Sequence, residues 1–391
     1  MNPPPSSPAR RLRRPGRLGR VFFAIAASLL LVVAGFGLYE YSLARSGTQG
    51  TTLVVYTYAS FLGGNCGGPN VSAALAPFES AHDVTVDLVC PNANLVAALQ
   101  DPADYGLPPA DLVVGLDEIT APEAEGLGLL LPYAPSELAD VPAYLASGVS
   151  PDHGVVPYEW GYLAVDYTSA FENATGGAVA EATLPEFVEN STWAAQLVTE
   201  NPIYDITGEE FLAWQIEYYS TVLHENWETF WQAFFGEPHP NPAPDWGTAF
   251  DEFGSPPGEN QLVVSYSTDP AYAAAYGEGG TFNSTVSWWN GTAYGWRTIY
   301  GVGLVAGTRH TTLAEAFESY LLSGPVQAQL PTSEWEYPAN DTVAVPSVFG
   351  AAIDPASVVA LNNATSPAEV AANLTAPMGW LATWQSLAGS S

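Results

Sequence analysis

The sequence predicts an α/β protein that gathers its site at the ends of parallel strands. Two observations predict it. Short apolar, β-branched runs alternate along the chain with segments of helical pattern. The stretch Gln261–Tyr276 (QLVVSYSTDPAYAAAY) holds that unit in miniature. Its apolar start reads as a buried strand, and Ser267-Thr268-Asp269-Pro270 reads as a turn with Asp269 as N-cap and Pro270 at the first helical position. Ala271–Tyr276 then opens a helix. A strand end feeding a helix N-terminus is where open α/β sheets place ligands, and Tyr266 and Tyr272 flank this one.

In chain order, residues 1–20 are rich in Pro, Ser and Arg and form a disordered tail. Val21–Tyr39 is an uncharged apolar run of bilayer-spanning length, preceded by arginines. It predicts an uncleaved single-pass anchor with the N-terminus in the cytoplasm and the remainder outside. The competing reading is a signal peptide, but the run is long for one. Residues 40–51 are a linker. Strands follow at Leu53–Val55, Val84–Val89 and Ala110–Gly115, with a helix at Asn94–Gln100 between them. Val155–Asp166 is strand-like and broken by Pro157 and Gly161. Leu184–Val198 mixes helix and loop. Gly208–His224 and Trp227–Phe235 are aromatic helices, and Gly236–Pro244 is a proline-rich loop. Tyr300–Ala306 is a strand and Thr312–Leu322 an amphipathic helix.

Composition narrows the function. The chain carries 9 basic and 41 acidic residues, a formal net charge of −32, and it has no lysine. Six of the arginines sit in the N-terminal tail, leaving Arg45, Arg297 and Arg309. Such a surface excludes nucleic-acid binding and disfavours phosphorylated ligands, and it favours a neutral or cationic partner. Few charges overall (13%) argue against salt adaptation and suit an acidic exterior, where protonated carboxyls leave little self-repulsion. Eight Asn-X-Ser/Thr sequons, at Asn70, Asn173, Asn190, Asn283, Asn290, Asn340, Asn363 and Asn373, suggest a glycosylated surface protein. The two cysteines, Cys66 and Cys90, fall outside the membrane in this topology, so a disulfide is expected.

No metal site and no cofactor are expected, because the five histidines are scattered and no phosphate-binding glycine loop is present. There is no G-x-S-x-G elbow either. The acid pairs Glu209-Glu210 and Asp251-Glu252 read as solvated helix faces, and Tyr218-Tyr219 as one core and one surface ring. What stands out is aromatic residues at element ends: Tyr58, Trp246, Tyr266, Tyr272 and Trp335. Singly each suits a core. Together they suit a cage for a delocalised cation, with cation–π attraction of up to about 2 kcal/mol.

Val55–Phe61 (VYTYASF), Ala110–Asp117 (ADLVVGLD), Val156–Asp166 (VPYEWGYLAVD), Val264–Tyr272 (VSYSTDPAY) and Pro331–Pro338 (PTSEWEYP) together carry a resemblance. Over roughly residues 53–345, in order and spacing, the chain resembles the thiamine-binding solute receptors of ABC importers. The resemblance implies a two-lobed, type II periplasmic-binding-protein-like clamp with a ligand cleft. The lobes would be residues 52–158 and 159–296, with 297–391 the return to the first lobe and a C-terminal segment. Crossovers would lie near Pro157–Gly161 and Ala293–Tyr300. It implies a monomeric, non-enzymatic receptor that passes thiamine to permease subunits. The five aromatics would contact the ligand, with Asp117, Ser267 and Thr268 supplying orienting hydrogen bonds. A secreted glycan hydrolase is the alternative from another class, and a different organic cation the alternative ligand.

Departures from the family pattern carry information. Ala59 stands where the family has an acid, Gly63-Gly64-Asn65-Cys66 replaces a WGPG turn, and Cys90–Asn94 replaces an acidic segment. The family's DPRTSTPG loop, which faces the phosphate end of thiamine phosphates, is here Asn201–Gly208 (NPIYDITG). Tyr204 and Asp205 replace its arginine and serine chemistry. A carboxylate there repels phosphate, so unphosphorylated thiamine is the expected ligand.

Overall fold

The computed structural model describes residues 50–91, 94–236, 238–277, 279–363 and 365–389. The expected tail and the anchor at 21–39 lie outside the described residues. Among the described residues no helix is long and apolar enough to cross a membrane. The described residues from Thr52 onward form one compact unit.

A ten-stranded sheet runs through that unit. Its main path orders the strands Val84–Val89, Thr51–Tyr56, Leu112–Leu116, Arg297–Val305, Val156–Thr168, Leu262–Tyr266 and Leu197–Val198. Thr51–Tyr56 pairs parallel with Leu112–Leu116, and Leu197–Val198 with Leu262–Tyr266. The expectation of a parallel sheet is only half right. Arg297–Val305 runs antiparallel to both of its long neighbours, and Val156–Thr168 runs antiparallel to Leu262–Tyr266. The chain crosses from one half to the other and back, and a returning strand must run against the outgoing one.

Val156–Thr168 is one uninterrupted strand, not a broken one. Its first half pairs with Arg297–Val302, and its second half, from Leu163, pairs with Leu262–Tyr266. Pro157, which has no N–H to donate, sits where the ladder skips a residue between Tyr300 and Gly301. Gly161 serves close approach: a Cβ there would lie 2.2 Å from Glu336 Oε2.

Two cores flank these crossing strands. The first gathers Val55, Leu112, Val114, Tyr158, Val302 and Phe317. The second gathers Leu163, Val264, Phe211, Trp214, Trp231 and Trp296. Val358, Leu361, Val370, Leu374 and Trp384 of the C-terminal segment are buried in the second core, while residues 299–339 contribute to the first. Tyr218 and Tyr219 are both buried there, contrary to the core-and-surface reading. The helix winds into a π-turn at Tyr218–Leu223, and Phe230 covers the Tyr219 ring at 6.2 Å. Asp251 and Glu252 are solvated as expected, but Glu210 is fully buried. Cys66 and Cys90 form a disulfide, with Cα atoms 5.7 Å apart.

Candidate functional site

Three element ends and one residue inside a crossing strand bring aromatic rings into a row. Tyr58 lies just past Thr51–Tyr56, and its hydroxyl donates to Glu159 Oε1 at 2.6 Å. Its ring stands 6.2 Å from that of Tyr300, tilted by 41°. Tyr300 and Tyr266 share a hydrogen bond between their hydroxyls at 2.8 Å. The Tyr266 hydroxyl also meets Thr207 Oγ1 at 3.0 Å. Trp246 stands 6.0 Å from Tyr266, and its indole Nε1 donates to Ser265 Oγ at 2.9 Å. The row Tyr58, Tyr300, Tyr266, Trp246 therefore runs from the first half of the sheet, over a crossing strand, into the second. All four rings are partly buried.

The other two expected aromatics form a second group. Tyr272 meets Trp335 edge-on at 5.5 Å, and Tyr276 meets it at 5.8 Å. Trp335 also stacks on Phe349 at 6.5 Å and 9°. Trp335 has φ +63°, a left-handed conformation costly for a large side chain. A pocket of about 320 Å³ opens beside it, lined by Leu62, Gly63, Asn70, Tyr276, Ser333 and Trp335 among others. That volume lies in the range of small-molecule sites.

The polar residues named from the sequence sort differently. Thr268 Oγ1 donates to Glu336 Oε1 at 3.2 Å. Ser267 Oγ is buried without a partner. Asp269 is not the N-cap expected of it. Its Oδ2 points back and accepts from Ser265 Oγ at 2.5 Å and Tyr266 N at 3.1 Å, and Thr268 holds the cap position. Asp205 is the N-cap of Ile206–Glu217, accepting from Thr207 N at 3.0 Å and, through Oδ2, from Trp246 N at 3.2 Å. Tyr204 is 73% exposed and joins neither aromatic group. Asp117 is fully buried, and its Oδ1 accepts from Ile119 N at 3.1 Å and Thr120 N at 2.7 Å.

Acids outnumber cations around the row. Glu159, Glu210 and Glu336 are each at most 7% exposed, and each keeps one carboxylate oxygen without a hydrogen-bond partner. Burial pushes the Glu210 and Glu336 carboxyls well up, reinforced by neighbouring acids, and raises Glu159 to about 7. Arg297 is engaged elsewhere, over the Tyr144 ring at 4.6 Å and bonded to Asn363. Sequence reasoning missed Tyr300, Glu159, Glu210 and Glu336. Glu159 and Tyr300 were within reach, since they are register partners inside the two segments named as crossovers. Glu210 was misread because acid pairs on helices are usually solvated.

No family profile matches the chain. It is 28% identical over 350 residues to the thiamine-binding periplasmic protein of Brucella suis biovar 1 (strain 1330), covering 88% of this chain and 95% of the relative. The chain resembles the thiamine-binding periplasmic proteins. A solved periplasmic thiamin binding protein superposes with a TM-score of 0.70 at 24% identity, covering 88% of this chain and 98% of that one. The periplasmic binding protein AfuA from Actinobacillus pleuropneumoniae, bound to fructose-6-phosphate, superposes with a TM-score of 0.67 at 14% identity, over 88% of this chain and all of that one. The fold is thus periplasmic-binding-protein-like α/β. A thiamin binding protein and a periplasmic binding protein bound to fructose-6-phosphate share it, so the ligand must be argued from the side chains.

Proposed function

We propose that this chain is an extracytoplasmic solute-binding receptor that takes up unphosphorylated thiamine and hands it to the permease of an ABC importer. The observation that carries the reading is the aromatic row with buried, partnerless carboxylate oxygens beside it. Flat rings stack on a thiazolium, and the acids answer its permanent positive charge. Trp246 and Tyr266 join Tyr58 and Tyr300 on one side, and Tyr272 and Trp335 line the neighbouring group. Closure about the crossing strands would bring the groups onto one ligand.

Phosphate is disfavoured on two counts. The N-terminus of Ile206–Glu217 is the natural anion site. Asp205 already covers its first N–H groups with its own carboxylate. Glu210 adds a second acid one turn on. In this reading residues 21–39 anchor the receptor in the membrane with the clamp outside, and the exposed sequon residues Asn70, Asn173, Asn190, Asn290, Asn363 and Asn373 carry any glycans.

The test is titration of the purified chain with thiamine, thiamine monophosphate and thiamine diphosphate, followed by tryptophan fluorescence and calorimetry. Sub-micromolar thiamine binding with weaker phosphates supports both ligand and selectivity. Equal or tighter phosphate binding removes the selectivity argument. No response to any of the three overturns the thiamine assignment and turns the search to other organic cations.

A further inference from the structure

Glu210, beside the row of rings, also belongs to a tighter group of acids that the row does not account for. Asp117 and Glu118 follow the strand Leu112–Leu116, and Glu210 lies in the helix Ile206–Glu217. Each of the three offers a carboxylate oxygen, and these atoms all lie within 4.8 Å of one another. The residues are 0%, 2% and 0% exposed. Three carboxylates held this close out of water repel strongly unless something positive lies between them.

The hydrogen bonds do not use up the group. Glu118 accepts from Trp296 Nε1 through one oxygen and from Ile299 N at 3.0 Å through the other. Asp117 commits only Oδ1 to its local turn, leaving Oδ2 buried and without a partner. Glu210 accepts from the Tyr300 hydroxyl at 3.4 Å through Oε2, leaving Oε1 buried and without a partner. Two orphaned carboxyl oxygens thus belong to one buried cluster. The cluster is too enclosed for an organic ligand, and its donors are all hard oxygens.

We propose that Asp117, Glu118 and Glu210 bind a hard divalent cation, of which calcium is the probe, and that the ion ties the end of Leu112–Leu116 to the helix Ile206–Glu217. A cation about 2.3–2.6 Å from each oxygen needs those oxygens no more than roughly 5 Å apart, which the cluster meets. Carboxylate oxygens favour calcium, magnesium or manganese over softer metals. The tie joins a strand of the first core to a helix of the second, so the ion stabilises one arrangement of the two. The proposal does not depend on the thiamine reading.

The experiment strips the full chain with EDTA, dialyses it, and adds back calcium, magnesium or manganese. Bound ion is counted by mass spectrometry and thermal melting is followed, for the wild type, Glu210→Gln and Asp251→Asn. Asp251 is a surface acid and serves as the control. One ion per chain, with a saturable rise in Tm that Asp251→Asn retains and Glu210→Gln loses, is the expected result. A wild type blind to all three ions overturns the proposal and leaves protons as the occupants. A full response retained by Glu210→Gln also overturns it, by assigning the ion to the acidic surface.

Discussion

Glu159 offers a test in which sign and size both follow from the structure. Its carboxyl is 2% exposed, takes a hydrogen bond from Tyr58 and has its second oxygen unpartnered. Burial raises it from 4.5 to about 7 in the folded protein. A raised acid contributes stability that is fully present below pH 4.5 and is lost as pH rises through about 7. The shift corresponds to about 3 kcal/mol. Glu159→Gln keeps an acceptor for the Tyr58 hydroxyl and removes the titrating group. Urea denaturation of wild type and variant at pH 4.5 and pH 8 measures the effect. The wild type should lose about 3 kcal/mol more than the variant between the two. Glu334 and Glu336, whose charges act on the same group of buried acids, titrate in the same direction, so the variant keeps part of the slope. Equal losses in wild type and variant would refute the assignment of this slope to Glu159. A wild type most stable at neutral pH would also sink the idea of a protein adapted to an acidic exterior.

Other outcomes can be stated more briefly. Trp246→Ala and Trp335→Ala should each weaken thiamine binding by about 1–3 kcal/mol, read by calorimetry, and unchanged affinity in both removes the aromatic site. Asp205→Ala should cost about 1 kcal/mol of stability through the lost N-cap, and should narrow the preference for thiamine over its monophosphate. Cys90→Ser opens a loop of sequence separation 24 and should cost about 3 kcal/mol in chemical denaturation. It should also weaken ligand binding, because Cys90 Sγ sits 3.5 Å from the Tyr58 carbonyl and Cys66 N donates to Ala59 O at 2.9 Å. Asn340 should be free of glycan by mass spectrometry, since it is 2% exposed and its side chain bonds Leu322 O at 3.2 Å and Thr342 N at 3.0 Å.

Much of the fold was legible because local rules and tertiary structure agree. Val84–Val89 is a strand with the predicted bounds, Asn94 caps Leu95–Gln100, and Thr311–Leu322 begins one residue before its expected start. Apolar periodicity and capping chemistry act over a few residues, so the chain itself states them. Strand direction was not legible, since whether Arg297–Val305 runs with or against its neighbours depends on partners more than a hundred residues away. For the same reason Pro157 and Gly161 were misjudged as breaks. One sits at a skipped rung, and the other makes room for Glu336.

The sequence by itself determined the chemistry available to this protein: aromatic rings at strand ends, very few cations, an excess of acid and one pair of cysteines. Tertiary structure decided what those groups are. It set Tyr58, Tyr300, Tyr266 and Trp246 in one row and Tyr272 and Trp335 in another. It made Asp205 a helix cap, turned Tyr204 to solvent, and gathered Asp117, Glu118 and Glu210 into a buried cluster. A residue's type is local, but its burial and its charged neighbours arise only when distant segments pack, and those two quantities decide whether a carboxylate is a cap, a counter-charge or a ligand.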